Sequence, residues 1–289
     1  MKNLFAATVL LATLSITACQ DDYHAIDGLS AYSSSNNFTF NLKSNAADLW
    51  QPITRGSLMS DGEELTDIWI LDYQNGSLAQ MLHQQSSDLN FGTPSLNLAL
   101  GYHRIYFIAS RGTDPEISIT EHKITWGQVS DTFYKDYAIT VEGSSSGNRT
   151  VTLDRVVTRL KLTIADAIKE GTTTFVVQPK TWYYGMDYYT GLPKDYKDNK
   201  SIFVDCPSSD IGKTNKDISI YGFSGTFEWY SDVSITATSE KYWIAEAKIE
   251  NIPFKRNRET QYVGTLYSST GAMTIGLNTD WELSQNGNW

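Results

Sequence analysis

Cys19 closes the run Leu14-Ser15-Ile16-Thr17-Ala18-Cys19 and is one of only 2 cysteines in the 289-residue chain, so its position carries weight. Lys2 is the lone charge ahead of an apolar stretch from Leu4 to Ile16, shorter than the ~20 residues a bilayer-spanning helix needs. A branched residue and two small ones then precede the thiol, which is the arrangement in which a cysteine sulfur takes up a diacylglycerol before cleavage. Cleavage there would remove residues 1–18 and leave Cys19 as the first residue. Each buried methylene of an acyl chain contributes ~0.8 kcal/mol, and two or three chains hold a protein that one chain binds only marginally. Gln20-Asp21-Asp22 after the cysteine is polar and reads as a solvated tether.

No other residues show a spacing suited to catalysis. His24, His83, His103 and His122 are scattered, without His-x-x-x-His, Gly-x-Ser-x-Gly or a glycine-rich phosphate loop. His103 is expected on the solvent face of its strand. Glu63-Glu64 is an acid pair of the kind that sits solvated in a turn, and ligand-type residues never recur at a metal-coordinating interval. No enzymatic activity and no cofactor or metal is expected. With Cys19 acylated, Cys206 has no intramolecular partner, and its plain reading is a small buried hydrophobe. The one cluster with ligand-binding character is aromatic: Trp182, Tyr183, Tyr184, Tyr188 and Tyr189. Flat rings at a sheet edge can stack on sugar faces, although rings of this kind also pack along strands with the hydroxyl at the rim.

The formal charge of −10 becomes −11 once Lys2 is removed with the leader. Nucleic acid is therefore not an expected partner, because no Lys/Arg cluster is present to displace its counterions.

Seventeen Tyr, eight Trp and abundant Thr favour strands. Phe38–Lys43 and Thr158–Ile164 alternate with period two, as half-buried antiparallel strands do. Ile68–Leu71 and Ile105–Ile108 are continuous apolar runs, expected to be buried on both faces. Only Ser77–Gln85 and Ile164–Lys169 look helical. Gly143–Asn148 is a turn cluster linking two strands like a hairpin, and Gly191–Lys200 reads as a long polar surface loop. A length of 271 residues after cleavage (289 − 18) suits two domains.

Three segments, in order, resemble the fimbrillin-like proteins of Bacteroidales type V pili. They are Leu65–Leu78, with Asp67-Ile68-Trp69-Ile70; Gly101–Ser110, where Ser110 stands in place of the usual Asn; and Val151–Ile164, with Leu153-x-Arg155 and with Thr158 in place of a small apolar residue. A weaker match covers Asn251–Thr260. The acidic residues after Cys19 are also similar to a surface-export signal of Bacteroidetes-type lipoproteins.

The resemblance implies an all-β chain of two tandem transthyretin-like antiparallel β-sandwiches. The expected division is a signal peptide at 1–18, a lipidated tether and first strand at 19–55, and domains at 56–156 and 157–289. The first strand, 37–44, belongs to the first domain until any cleavage. The resemblance further implies assembly by strand exchange with other fimbrial subunits, at the surface of the outer membrane that Cys19 enters, and contact with a host or bacterial receptor. In this family an arginine-specific protease acts between the first and second strands, which here singles out Arg55-Gly56. Phe38, Phe40 and Leu42 would then be the apolar members of the exchanged strand. A polar end at Asn278–Trp289 leans toward a tip or accessory subunit over a stalk; an intact Arg55 would make the chain a lipid-retaining anchor. The alternative is a carbohydrate-binding surface lipoprotein that uses the aromatic cluster.

Overall fold

The computed structural model describes residues 36–46, 49–54, 64–111, 115–143, 146–268 and 273–276. These residues form strands and one 3-10 turn, Ser208–Asp210, as the aromatic and β-branched composition demands. In chain order the strands are β1 (Asn37–Ala46), β2 (Leu49–Pro52), β3 (Asp67–Gln74), β4 (Ser77–Gln85), β5 (Ser95–Asn97) and β6 (Gly101–Ser110). There follow β7 (Glu116–Ser118), β8 (Lys123–Thr125), β9 (Phe133–Val141), β10 (Gly147–Arg155), β11 (Val157–Ile164) and β12 (Thr174–Pro179). Next come β13 (Thr181–Tyr183), β14 (Gly185–Asp187), β15 (Leu192–Pro193), β16 (Tyr196–Asp198) and β17 (Ile202–Asp205). The set closes with β18 (Lys216–Phe223), β19 (Trp229–Thr238), β20 (Trp243–Phe254), β21 (Glu259–Gly264) and β22 (Met273–Gly276).

The first half is one sheet in the order β2-β1-β10-β9-β6-β3-β4, with β5 added to β1. β9 and β10 pair only at Tyr134–Asp154 and Phe133–Arg155 and then diverge. The sheet therefore folds over on itself, and Phe40 of β1 meets Phe107 of β6 at 5.2 Å although two strands separate them in the pairing order. Ile68, Ile70, Ile105 and Phe107 fill this inner core. Their neighbours Trp69, Leu71, Tyr106 and Ile108 fill a second core on the opposite face. That is why β3 and β6 read as unbroken apolar runs: both of their faces are dry.

The second half is a two-layer sandwich of β18-β11-β21-β22 on β17-β12-β19-β20, closed on Leu160, Phe175, Trp182, Ile235 and Phe254. Cys206 is buried in this core as a free thiol, and burial pushes its pKa up.

Several expectations change. Ser77–Gln85 is strand β4, paired with β3 from Asp67–Gln85 to Gln74–Ser77, and Ile164 ends a strand while 165–169 is irregular. Leu78, Met81 and Leu82 fit a helix stripe as well as a strand, and pairing with the buried β3 overrides that weak local preference. Two pairings are parallel, β1 with β10 and β11 with β21, within otherwise antiparallel sheets. Thr158–Ile164 is almost wholly buried rather than half-buried. The stretch 191–200 carries β15 and β16, which pair with β14 and β13.

Candidate functional site

Cys19, Arg55 and Gly56 lie outside the described residues. The strand proposed for exchange is inside them. Phe38, Phe40 and Leu42 are 1%, 0% and 1% exposed and point into the inner core, spaced two apart as a pleated strand requires. Phe40 also meets Tyr137 edge-on at 5.7 Å. Burial of such side chains stabilises by roughly 1.5–3 kcal/mol each.

The backbone of β1 is engaged on both sides. Its register with β10 runs from Phe38–Gly147 to Asn45–Asp154, while β5 takes its start and β2 its end. Between those two, Phe40 N donates to Pro94 O and Leu42 N to Gly92 O, each at 2.9 Å, and Ile53 N donates to Leu42 O. Gly92 has φ +81, and a Cβ there would lie 1.8 Å from the Ile53 carbonyl oxygen, so only glycine fits. Side-chain fastening of β1 is sparse by comparison: Thr39 with Ser95 at 2.9 Å, and Arg149 over the Phe38 ring.

The seam between the halves is built differently. Arg155, at the end of β10, places Nε 2.7 Å and Nη2 2.9 Å from the two oxygens of Asp131, in a bidentate pair whose side chains are 1% and 0% exposed. Its Nη1 donates to Asn257 Oδ1 of the second half, and its guanidinium lies over the Phe133 ring at 4.9 Å. Arg256 reaches Ser224 O and Gly191 O. A small sheet, β15-β14-β8-β7, crosses the same seam, with Thr125–Gly185 and Lys123–Asp187 in register. Lys123 adds Asp195 at 3.2 Å.

The aromatic cluster belongs to this region and to the second core. Trp182 is 0% exposed, donates Nε1–H to Tyr221 O at 3.0 Å, and packs on Gly222, where a Cβ would lie 2.6 Å from its ring. Tyr188 is also 0% exposed; its hydroxyl lies 2.7 Å from that of Tyr73. Burial, the Tyr73 hydrogen bond and neighbouring phenols all push the Tyr188 pKa up, so it is a neutral phenol. Tyr189 stacks between His122, at 3.7 Å, and Tyr106, at 5.1 Å. Tyr183 packs edge-on against Trp229, and Tyr184 lies under Lys200. The structure thus divides the five rings between two cores, with only Tyr188 and Tyr189 in ring contact, and turns the faces of Trp182 and Tyr188 into protein. The exposed rings are others, among them Trp243 at 74% and Tyr242 at 65%.

His103 departs from expectation outright: it is 1% exposed, not on the solvent face. Its Nδ1 lies 2.9 Å from Asp72 Oδ1 and its Nε2 2.9 Å from Ala99 O, while Gln80 Nε2 donates to the other Asp72 oxygen at 3.0 Å. Burial pulls the His103 pKa down, but the Asp72 hydrogen bond and charge and the Ala99 carbonyl outweigh it, and the net shift is upward. Neither this pair nor Arg155–Asp131 was marked by sequence spacing. The signal that existed was Arg155 inside the Leu153-x-Arg155 pattern.

Two polar clefts share Arg111 as a wall. One, of about 400 Å³, lies at the ends of β3 and β4 beside Asp67 and Gln85. The other, of about 320 Å³, opens at the seam between Gln128 and the outward side chains Arg159, Asp217, Ser219 and Tyr221. Among the described residues no group of three or more His, Cys, Asp or Glu is placed to hold a metal.

No protein-family model matches this chain, and no curated protein matches it. Solved structures do. A candidate polysaccharide-binding protein from Bacteroides thetaiotaomicron aligns over 86% of this chain and 98% of its own, with TM-score 0.52 and 9% identity. A candidate adhesin from Bacteroides ovatus aligns over 87% and 97%, with TM-score 0.50 and 8% identity. At such low identity the likeness is one of fold, and the all-β, sandwich-like architecture of this chain is the one those two proteins share.

Proposed function

We propose that this protein is a structural or accessory subunit, at a tip or stalk position, of a cell-surface fimbrium, exported as a lipoprotein through Cys19 and assembled by strand exchange. The carrying observation is the seat of β1. An alternating strand whose only strong ties are a backbone ladder and three apolar side chains can be replaced by any strand of similar pattern, because neither tie reads sequence closely. Cleavage at Arg55-Gly56, which follows β2 rather than lying between the first and second strands, would separate residues 19–55, with lipid, β1 and β2 together, from the units 56–156 and 157–289. The vacated groove would expose β10 and the Phe107–Tyr137 wall to a partner subunit's strand. The resemblance of the three ordered motifs and the fold shared with a candidate adhesin support the same reading. No reaction is assigned to the chain.

Digestion with a trypsin-like protease is expected to yield SDS-resistant ladders, absent in Arg55→Ala. Monomer in both samples would refute strand-exchange assembly. If Arg55 stays intact in cells and the lipid is retained, the chain serves as an anchor.

A further inference from the structure

Two polar clefts flank Arg111. At the seam Arg159 and Asp217 each have a counter-charge within the protein, Glu259 at 2.9 Å and Lys161 at 2.8 Å. A groove with paired signs gives no net field to attract an ion and instead offers alternating donors and acceptors. At the seam these are held in fixed geometry. Ser219 Oγ accepts from Arg159 Nε at 3.1 Å and Nη2 at 2.9 Å. Asp217 is held by Thr163 at 2.6 Å and Lys161 at 2.8 Å and keeps lone pairs to spare. Gln128 is exposed, and its amide has no side-chain partner among the described residues. Apolar lining is limited to Val129 and the edge of Tyr221, too little to seat the side chains of a peptide.

We propose that this groove binds a neutral, hydroxyl-rich saccharide chain, with Gln128, Ser219 and Asp217 hydrogen-bonding its hydroxyls at the seam. Hydroxyls serve as donor and acceptor at once, which is what a lining of amide, serine and carboxylate requires. Asp217 and Ser219, mounted on β18, lose little freedom on binding, while Gln128 stands in the segment between β8 and β9. The proposal deepens the adhesive reading and rests on it for exposure at the cell surface. It also moves any carbohydrate contact away from Trp182 and Tyr188, whose faces are covered.

The test uses the purified full-length protein on an array of neutral and acidic oligosaccharides, followed by calorimetry on the best neutral hit. Gln128→Ala is expected to weaken binding about 3- to 10-fold, as loss of one hydrogen bond does. Gln128→Trp, which fills the cleft from an exposed position, should abolish it, while Tyr184→Ala in the aromatic cluster should leave it unchanged. Unaltered thermal melting of both Gln128 variants keeps the readout on binding. Absence of neutral-glycan binding, binding of acidic glycans or peptides alone, or full affinity in Gln128→Trp would overturn the proposal. Polymer ladders from the same variants read assembly separately, so a failed glycan site and a failed fimbrial role give different results.

Discussion

The seat of β1 and the seam are both buried, yet they are held by opposite kinds of force. β1 is fixed by backbone hydrogen bonds and by Phe38, Phe40 and Leu42, with no ion pair among its described contacts. The seam is crossed by the Arg155–Asn257 hydrogen bond, with Arg155 itself held by Asp131, and by the β8–β14 pairing. Apolar burial is non-directional and tolerates a different strand of like pattern. A bidentate buried pair tolerates almost nothing, since loss of one partner strands the other's charge in a dry site. Permissive contacts thus hold β1, and exacting ones hold Arg155, the residue that reaches across the seam.

The largest effect should come from breaking the seam. Arg155→Ala is expected to cost about 3–5 kcal/mol in denaturant unfolding, with the buried Asp131 deprived of its guanidinium. Replacing both partners with apolar residues should restore most of that loss. At the β1 seat, Gly92→Ala should cost about 1–2 kcal/mol for φ alone, and more from the Ile53 clash. Early proteolysis of β1 would report it.

Third is pH. The His103 pKa is raised above its unfolded value, so the Asp72–His103 contribution is complete below about pH 6.5 and is lost as pH climbs through the folded value. Stability should therefore fall with a slope of at most ~1.4 kcal/mol per pH unit over that alkaline window. His103→Gln should flatten the slope. The smallest change is expected from Phe40→Leu, below about 1.5 kcal/mol, because the groove reads pattern more than shape. A loss as large as that of Arg155→Ala would erase the contrast between the two regions.

The strands of the core were legible because their physics is local. Phe38–Lys43 alternates because one face is dry, and Ile68–Leu71 and Ile105–Ile108 do not because both are. β4 was not legible: Leu78, Met81 and Leu82 match a helix stripe as well as a strand, and only the already placed β3 decides between them. His103 was misplaced for a related reason. At the start of β6 Tyr102 and Arg104 take the wet side and His103 the inner face of Ile105 and Phe107, where Asp72, 31 residues earlier, accommodates a buried imidazole. Trp182 and Tyr188 showed the same limit from the other side. A run of aromatics announces contact, and what decides between a sugar and Gly222 is a backbone 40 residues downstream (222 − 182).

The cross-seam sheet has a kinetic consequence. β8 can complete its ladder only with β14, about 60 residues later (185 − 125), and β1 waits still longer between its own synthesis and that of β10. Contacts of such long sequence separation slow folding, since loop closure must precede any gain from pairing. The first half thus stays unfinished until β14, about 30 residues into the second half (187 − 157), has been made, so its sheets close well after most of their strands have appeared.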